Sequence, residues 1–225
     1  MRARHATRER LGLERDEYAE LARLNTPEKI QRFLYDLPLN FERDGDTCLS
    51  VRQVLRERRA HCIEGALVAA CALWIHGEPP LLFDLAAVRD YDHVVALFRR
   101  NGCWGAISKT NGVGLRWRDP VYRSLRELAM SYFHEYYNAR HEKTLRRYSL
   151  PFDLRRFDPR DWVSGEDGAW KVAGALDRVR HFRLLSPAQA RTLAPRDPFE
   201  RRASRLLQYG APKGSRFAAR GARRG

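Results

Sequence analysis

A long apolar segment begins at Cys62, and its pattern predicts a buried helix. From Ile63 onward, apolar or small residues recur at positions 63, 66, 67, 70, 71 and 74, which fits the 3.6-residue period of an α-helix. The opposite side, formed by Ala69, Ala72 and Leu73, is apolar as well, so we expect the helix to be buried nearly all round. Gly77 and the following Pro-Pro pair end it.

The pattern after this helix changes to short apolar runs that are typical of strands. Residues 81–88 form one candidate strand and residues 91–98 a second, with His93 at its start. Asn101-Gly102 is a strong hairpin signal, and residues 104–108 form the return strand. If the loop has two residues, residue 100 pairs with residue 103, and His93 and Ser108 then lie on one face as diagonal neighbours.

Three further helices are predicted from caps and apolar stripes. Thr26 precedes Pro27 as an N-cap with proline at the first helical position. Asp119-Pro120 is expected to start a second helix, with its apolar stripe at positions 121, 125, 128, 129, 132, 133 and 136. Residues 170–179 form the last amphipathic helix, and residues 151–162 between these two are irregular.

These elements divide the chain into three segments. Residues 1–25 are a charged lead-in with helical tendency, and residues 26–194 form the main domain with a C-terminal helical extension. Residues 195–225 contain few large apolar groups, which predicts a basic disordered tail. With 44% hydrophobic residues and five tryptophans, the 225-residue chain is long enough to bury one sizeable core.

The positive charge is concentrated at the end of the chain. The formal net charge is +14, and residues 201–225 hold eight Lys or Arg residues and no acid. An Arg- and Gly-rich segment such as 219–225 is typical of tails that contact RNA through phosphates and stacking. The alternative interpretation is a solvated extension without a partner. Weak nucleic-acid contact through residues 201–225 is therefore a hypothesis that rests on the tail alone.

Several classes of protein are disfavoured. No apolar run approaches the ~20 residues of a membrane-spanning helix, so we expect no membrane association. The N-terminus lacks the apolar region of a secretory signal. Four cysteines are too few for a disulfide scaffold, and their spacing matches no zinc pattern, so we expect neither metal nor cofactor. A reduced, cytoplasmic compartment is the simplest expectation.

Candidate chemistry is concentrated at Cys62 and His93. A thiol at a helix N-terminus feels the positive end of the macrodipole, which favours the nucleophilic thiolate. An imidazole on a neighbouring strand supplies the proton acceptor that such a nucleophile requires. Cys71 lies on the apolar stripe and is expected to be core. His61 is adjacent to Cys62 and is a candidate to tune the thiol, but a solvent-facing turn residue is the favoured expectation.

The order of these motifs resembles the transglutaminase-like branch of the papain-like cysteine-protease superfamily. The matching residues are Cys62-Ile63-Glu64-Gly65-Ala66, Gly77-Glu78-Pro79-Pro80, His93 and Trp104-Gly105-Ala106-Ile107-Ser108. The resemblance covers about residues 26–111. It implies an α+β fold in which a central buried helix packs on a small antiparallel sheet, followed here by C-terminal helices. It also implies Cys62 as nucleophile, His93 as base and a peptide or protein substrate.

One position departs from this family. Ser108 occupies the place of the aspartate that orients the imidazole and stabilises its cation. Asn111, Asp90 or Asp92 is an alternative orienting residue, although Asp92, adjacent to His93 on a strand, should point to the other face. Asn40, upstream of the cysteine, is a candidate donor to the oxyanion.

Three functional hypotheses follow. The first is a cysteine-dependent amide hydrolase or acyl transferase that uses Cys62 and His93, with Ser108 or Asn111 as the orienting residue. The second keeps the fold without the chemistry, as a catalytically degenerate module that binds a peptide or a protein. The third is a nucleic-acid-binding protein that acts through its Arg-rich ends.

Overall fold

One antiparallel sheet is the centre of the computed structural model, which describes residues 4–210. Its strands are β1 (Leu81–Ala87), β2 (His93–Arg100), β3 (Cys103–Ile107), β4 (Arg118–Tyr122), β5 (Leu145–Ser149), β6 (Phe152–Asp153) and β7 (His181–Arg183). The strand order is β4-β3-β2-β1-β5-β7, and β6 pairs with β1 beside β5. The protein therefore combines helices with an antiparallel sheet, as expected at the level of fold class.

The helices lie on both sides of this sheet. They are α1 (Arg8–Leu11), α2 (Arg15–Ala22), α3 (Pro27–Asp36), α4 (Val51–Glu57), α5 (Cys62–Ile75), α6 (Leu125–Ser131), α7 (Trp170–Leu176), α8 (Pro187–Arg191) and α9 (Pro198–Ala203). Short 3-10 helices span Phe133–Glu135, Leu154–Arg156 and Pro159–Asp161. None of the helices within residues 4–210 has the length and apolar character needed to cross a membrane.

Helix α5 is buried on all sides, as its sequence predicts. Every residue from Glu64 to Ile75 is buried, and α5 packs against β2 and against α2, α3 and α4. One face of the sheet meets α5 through Leu82, Val94 and Ala96. The opposite face meets α6 through the intervening residues of the strands, because successive side chains of a strand point to opposite faces. Helix α5 is thus held between the sheet and a layer of helices.

The hairpin between β2 and β3 has the predicted register. Asn101 and Gly102 both have positive φ, at 51° and 80°, as a two-residue type I′ turn requires. Arg100 pairs with Cys103, and the ladder continues to Ala96 opposite Ile107. This register brings the start of β2 next to the end of β3, where the candidate site lies.

The helix that we predicted to start at Asp119-Pro120 begins later in the structure, at Leu125. Residues 118–122 form the edge strand β4, which pairs with β3 at Trp104 and Ala106. An edge strand tolerates Pro120, because proline cannot donate to a ladder. Helix α6 begins only after Ser124, whose hydroxyl accepts a hydrogen bond from the Glu127 backbone N–H. A cap residue rather than the proline therefore marks the start of this helix.

Both ends of the chain deviate from the predicted segments. The N-terminal lead-in is not separate, because Ala6, Leu11, Leu13 and Leu21 are buried in the core around α5. The predicted tail is ordered as far as residue 210: α9 forms, and the Tyr209 hydroxyl donates to the backbone oxygen of Tyr35 at 2.7 Å. The remainder of the tail, residues 211–225, lies outside the described residues.

Candidate functional site

Cys62 is the first residue of α5, and two histidines contact its thiol. The side chain is half-buried and carries no disulfide. Burial raises the pKa of this thiol, but hydrogen bonds with His61 and His93, together with the charge of these rings, outweigh it and bring the pKa to about 5. At neutral pH the group is therefore a thiolate, the form that acts as a nucleophile.

His93 is held by Ser108 in the geometry that the hairpin predicts. The ring atom Nε2 lies 2.8 Å from Ser108 Oγ. The single hydroxyl proton of Ser108 is donated to the backbone oxygen of Leu115 at 2.5 Å. Ser108 must then accept a hydrogen bond from His93, so we assign the ring hydrogen to Nε2. This tautomer leaves Nδ1 as the ring nitrogen available to the Cys62 thiol.

The same contacts explain why serine is suited to this position. Its hydroxyl accepts from His93 and donates to the Leu115 carbonyl at once. An ionised aspartate has acceptors only and would face the Leu115 oxygen without a hydrogen bond. The loop around Leu115 therefore suits a hydroxyl rather than a carboxylate at this position. The resulting orienting group is neutral.

Helix α3 fixes the backbone around Ser108. The Gln31 amide donates to Ser108 O at 2.8 Å and accepts from Ser108 N at 2.9 Å. The next residue, Lys109, is 1% exposed, and its ammonium donates to the backbone oxygens of Leu34 and Leu37 at the end of α3. Burial lowers the pKa of Lys109 to about 8. Four buried hydrogen bonds thus fix Ser108 and Lys109 relative to α3.

Gly65 allows α5 to approach this strand end closely. A Cβ atom added at Gly65 would lie 2.5 Å from Lys109 Cβ and 3.1 Å from Lys109 Cγ. Any larger residue would push the first turn of α5 away from β3, because these contacts are far shorter than van der Waals distance. Glycine at this position therefore sets the distance between the thiol-bearing helix end and the end of β3.

Glu64 forms a second charged centre beneath the thiol. Its carboxylate is fully buried and accepts hydrogen bonds from Leu49 N at 2.9 Å, Thr47 Oγ1 at 2.9 Å and His61 N at 2.8 Å. Burial acts to raise the pKa of Glu64, but the hydrogen bond from the His61 ring and the charge of that ring, followed by the backbone donors of Leu49 and His61, outweigh it, so the pKa is lowered. The carboxylate consequently remains ionised inside the protein.

His61 connects this carboxylate to the thiol. Its Nε2 lies 3.2 Å from Glu64 Oε1 and 3.0 Å from Thr47 O, while the ring also hydrogen-bonds Cys62. Burial acts to lower the pKa of His61, but Cys62 and Glu64 on either side raise it well above its ordinary value. His61 is thus an imidazolium between two anions, and the expectation that it faces solvent is wrong. His61 is the N-cap of α5, and an N-cap residue lies close to the first turn of its own helix. Its place in the sequence, directly before Cys62, therefore already pointed to this contact.

Asn40 does not have the predicted role as a donor to an oxyanion. It is fully buried, and its Nδ2 donates to Thr47 Oγ1 at 2.7 Å and to the Glu64 carboxylate at 3.1 Å. Both amide hydrogens are therefore engaged. Asn40 supports the Glu64 charge and acts on the thiol only through Glu64 and His61.

Asn111 is not brought to His93 either. Its Nδ2 donates to Tyr209 O at 2.8 Å, and its Oδ1 accepts from Tyr209 N at 2.8 Å. The amide thus anchors the segment after α9. Asp92, as expected from its neighbouring position, points away from Ser108 and accepts from Ala87 N at 2.7 Å. The His93 side chain is oriented by Ser108.

Cys48 and Cys71 have raised thiol pKa values, in contrast to the lowered pKa of Cys62. Burial, followed by the charge of Glu64, raises the pKa of Cys48 to about 12. Burial also raises the pKa of Cys71, which lies in the core as predicted. Both thiols stay protonated at neutral pH, so the environment of Cys62 separates it chemically from its neighbours.

Comparison with known proteins does not assign this chain to a family. The sequence matches no protein-family model, and a search of curated proteins finds no significant similarity.

Proposed function

We propose that the protein is a cysteine-dependent amide hydrolase or acyl transferase of the transglutaminase-like type. The observation that carries this proposal is a thiol with a pKa of about 5 between two imidazoles at a helix N-terminus. A structural cysteine has no need of this environment, whereas a nucleophile does. The substrate class is a peptide or protein carrying an amide or ester carbonyl.

In the first step the Cys62 thiolate attacks the carbonyl carbon, and a C–S bond forms. The proton shared with His93 Nδ1 passes to the leaving amine as the C–N bond breaks, which yields a thioester and a neutral amine. In the second step His93 takes a proton from water or from an acceptor amine, which attacks the thioester and releases the thiol. His61 stays cationic throughout and lowers the energy of the thiolate.

Two further features support this chemistry. The first backbone N–H groups of a helix have no intrahelical partner, so those of Cys62 and Ile63 at the start of α5 are available to an oxyanion on the attacked carbonyl. The fold supports the proposal through its order: cysteine at the start of a buried helix, histidine at the start of β2, and an orienting residue at the end of β3. This is the order found in the transglutaminase-like family.

A catalytically degenerate binding module is the second candidate. The neutral Ser108 favours it, because a hydroxyl stabilises an imidazolium less than a carboxylate does. The two candidates differ in one measurable property. An enzyme requires Cys62 to form and resolve a covalent intermediate, whereas a binding module does not.

The test is acylation by p-nitrophenyl acetate, combined with iodoacetamide labelling and peptide mapping across pH. We expect one equivalent of p-nitrophenolate in a rapid burst, loss of the burst in Cys62→Ala, and a normal burst in the control Cys103→Ala. His93→Ala should slow deacylation. Labelling of Cys62 should have its midpoint near pH 5, well below that of Cys48. A burst that survives in Cys62→Ala, or a Cys62 that labels no faster than Cys48 at neutral pH, overturns the proposal.

A further inference from the structure

A separate cleft of about 300 Å³ opens beside β1. Three carboxylates line it, from Asp84, Asp92 and Asp177, together with the basic side chains of Arg147 and His181. Asp92, Asp177 and Arg147 are exposed and form the rim, whereas Asp84 is 4% exposed and forms the floor. The cleft is therefore acidic and becomes less hydrated towards its base.

The buried carboxylate at the floor has one oxygen without a partner. Asp84 Oδ2 lies 2.8 Å from His181 Nε2. Within residues 4–210, Asp84 Oδ1 is shielded from solvent and has no hydrogen-bond donor. Leaving a buried carboxylate oxygen unpaired costs stability, so a lone oxygen of this kind on the wall of a cleft suits a ligand that supplies the donor.

We propose that this cleft binds an alkylammonium group, with its N–H donating to Asp84 Oδ1 and its positive charge facing Asp92 and Asp177. The side walls fit the rest of such a ligand, because Ala86 and Val179 offer apolar surface to a methylene stem. The group is available both in a lysine side chain and in a free aliphatic amine.

The contacts favour an ammonium over other cations. A calcium or magnesium ion requires about six oxygen ligands, whereas the floor of this cleft offers a single unpaired oxygen. No group of three His, Cys, Asp or Glu side chains within residues 4–210 is arranged to hold a metal. A guanidinium prefers a bidentate contact with both oxygens of a carboxylate, but His181 already occupies Oδ2. Of these cations, only an ammonium can bind through a single N–H donor to the single unpaired acceptor, Asp84 Oδ1.

The cleft is within electrostatic reach of the thiol. Burial raises the pKa of Asp84 to about 6, and the charges that add to this effect include Asp92 and Cys62. Asp84 also pairs with Val94 on β2, the residue next to His93. An ammonium in this cleft therefore lies close enough to the thiolate for its charge to be felt there. The binding proposal itself does not depend on the reactivity of Cys62.

Calorimetric titration of the full chain tests the proposal, with Cys62→Ala as the background so that thiol chemistry cannot contribute. The probes are n-pentylamine, the neutral n-pentanol, and Nα-acetyl-lysine N-methylamide at pH 7.5. We expect n-pentylamine to bind with a Kd on the order of 1 mM, which suits so small a ligand, and n-pentanol to show no binding.

Two variants locate the binding. Asp84→Asn removes the charge but keeps an acceptor for His181, and we expect n-pentylamine to bind about tenfold more weakly. Asp177→Asn at the exposed rim should weaken it about twofold to threefold. Asp16→Asn, which removes a carboxylate from α2 outside the cleft, is the matched control and should have no effect.

The outcomes separate the possibilities. Stronger binding of the lysine derivative than of n-pentylamine assigns the cleft to a protein substrate, and the reverse assigns it to a free amine. Equal binding of amine and alcohol, or unchanged binding in both Asp84→Asn and Asp177→Asn, overturns the proposal. If Asp84→Asn has a lower melting temperature than its parent and is not folded, the effect of Asp177→Asn and the comparison of n-pentylamine with n-pentanol decide whether the cleft binds an ammonium. Because every titration uses Cys62→Ala, failure here leaves the proposed function untouched, and failure of that function leaves this result intact.

Discussion

Removal of His61 separates the contributions of the two imidazoles to the thiolate. The Cys62 pKa of about 5, against an ordinary value of 9.0, corresponds to about 5 kcal/mol of net stabilisation of the thiolate. Burial opposes this, so the two histidines together supply more than the net amount. The hydrogen bond from His61 is the first of the stabilising contributions, ahead of that from His93. The charge of His93, however, ranks ahead of that of His61, so about half of the shift, roughly 2 to 3 kcal/mol, is expected to depend on His61.

His61→Gln removes the charge and keeps a side chain able to donate to Thr47 O. We expect the midpoint of Cys62 labelling to move from about pH 5 to about pH 7. The whole pH profile must be recorded with iodoacetamide, because a thiolate of higher pKa is also intrinsically more nucleophilic. At one pH the two effects partly cancel. Thiolate ultraviolet absorbance during a pH titration gives the same midpoint without a reagent.

His134→Gln is the matched control, since His134 is an exposed imidazole away from the thiol. The pH midpoint of Cys62 labelling in His134→Gln should equal that of the unmodified protein. A midpoint that stays near pH 5 in His61→Gln but rises in His93→Gln would refute the idea that His61 stabilises the thiolate. A thermal melt of each variant verifies that the fold is retained before the profiles are compared.

Two further predictions concern the packing and charge beneath the site. Gly65→Ala should lower the free energy of unfolding by roughly 1 to 3 kcal/mol, because its Cβ would meet Lys109. The control Gly174→Ala, with 3.6 Å to its nearest atom, should leave a thermal melt unchanged or slightly raised. Glu64 has a lowered pKa in the folded state, so its stabilisation is present above its ordinary pKa of 4.5 and is lost as pH falls. Glu64→Gln should therefore be less stable than the unmodified protein in urea at pH 7, with the difference narrowing progressively as pH falls below the ordinary pKa of 4.5, whereas the exposed Glu57→Gln should show neither effect. A difference that stays constant from pH 7 down to pH 3 would contradict the charged state assigned to Glu64.

Elements with strong local signals could be predicted from the sequence. The buried helix that starts at Cys62 follows from its periodicity and mean apolar character. The register of the β2–β3 hairpin follows from Asn101-Gly102, because a two-residue turn with positive φ leaves one way to pair the strands. The same geometry places Ser108 near His93 without reference to the rest of the molecule.

Elements that depend on distant partners could not be predicted. Strand β4 has the sequence of a helix start, but it pairs with β3 because the sheet edge there is open to it. Strands β5 and β7 are short and acquire their conformation from pairing with β1 and with each other. The part of the predicted tail up to residue 210 is ordered because Asn111 and Tyr35 bind it, which composition alone does not reveal.

The sequence by itself determined which cysteine lies at a helix N-terminus, where that helix begins, and which imidazole and hydroxyl lie together on the hairpin. These relations are local, since they depend on helix period, turn type and strand alternation. The tertiary structure alone decided the charges around the thiol. The pKa of Glu64 is lowered chiefly by the His61 ring and then by Leu49 N, while Asn40 and Thr47 from other parts of the chain donate to the same carboxylate. A pKa is set by every charge and donor that folding brings within a few ångströms, and local pattern contains no record of them.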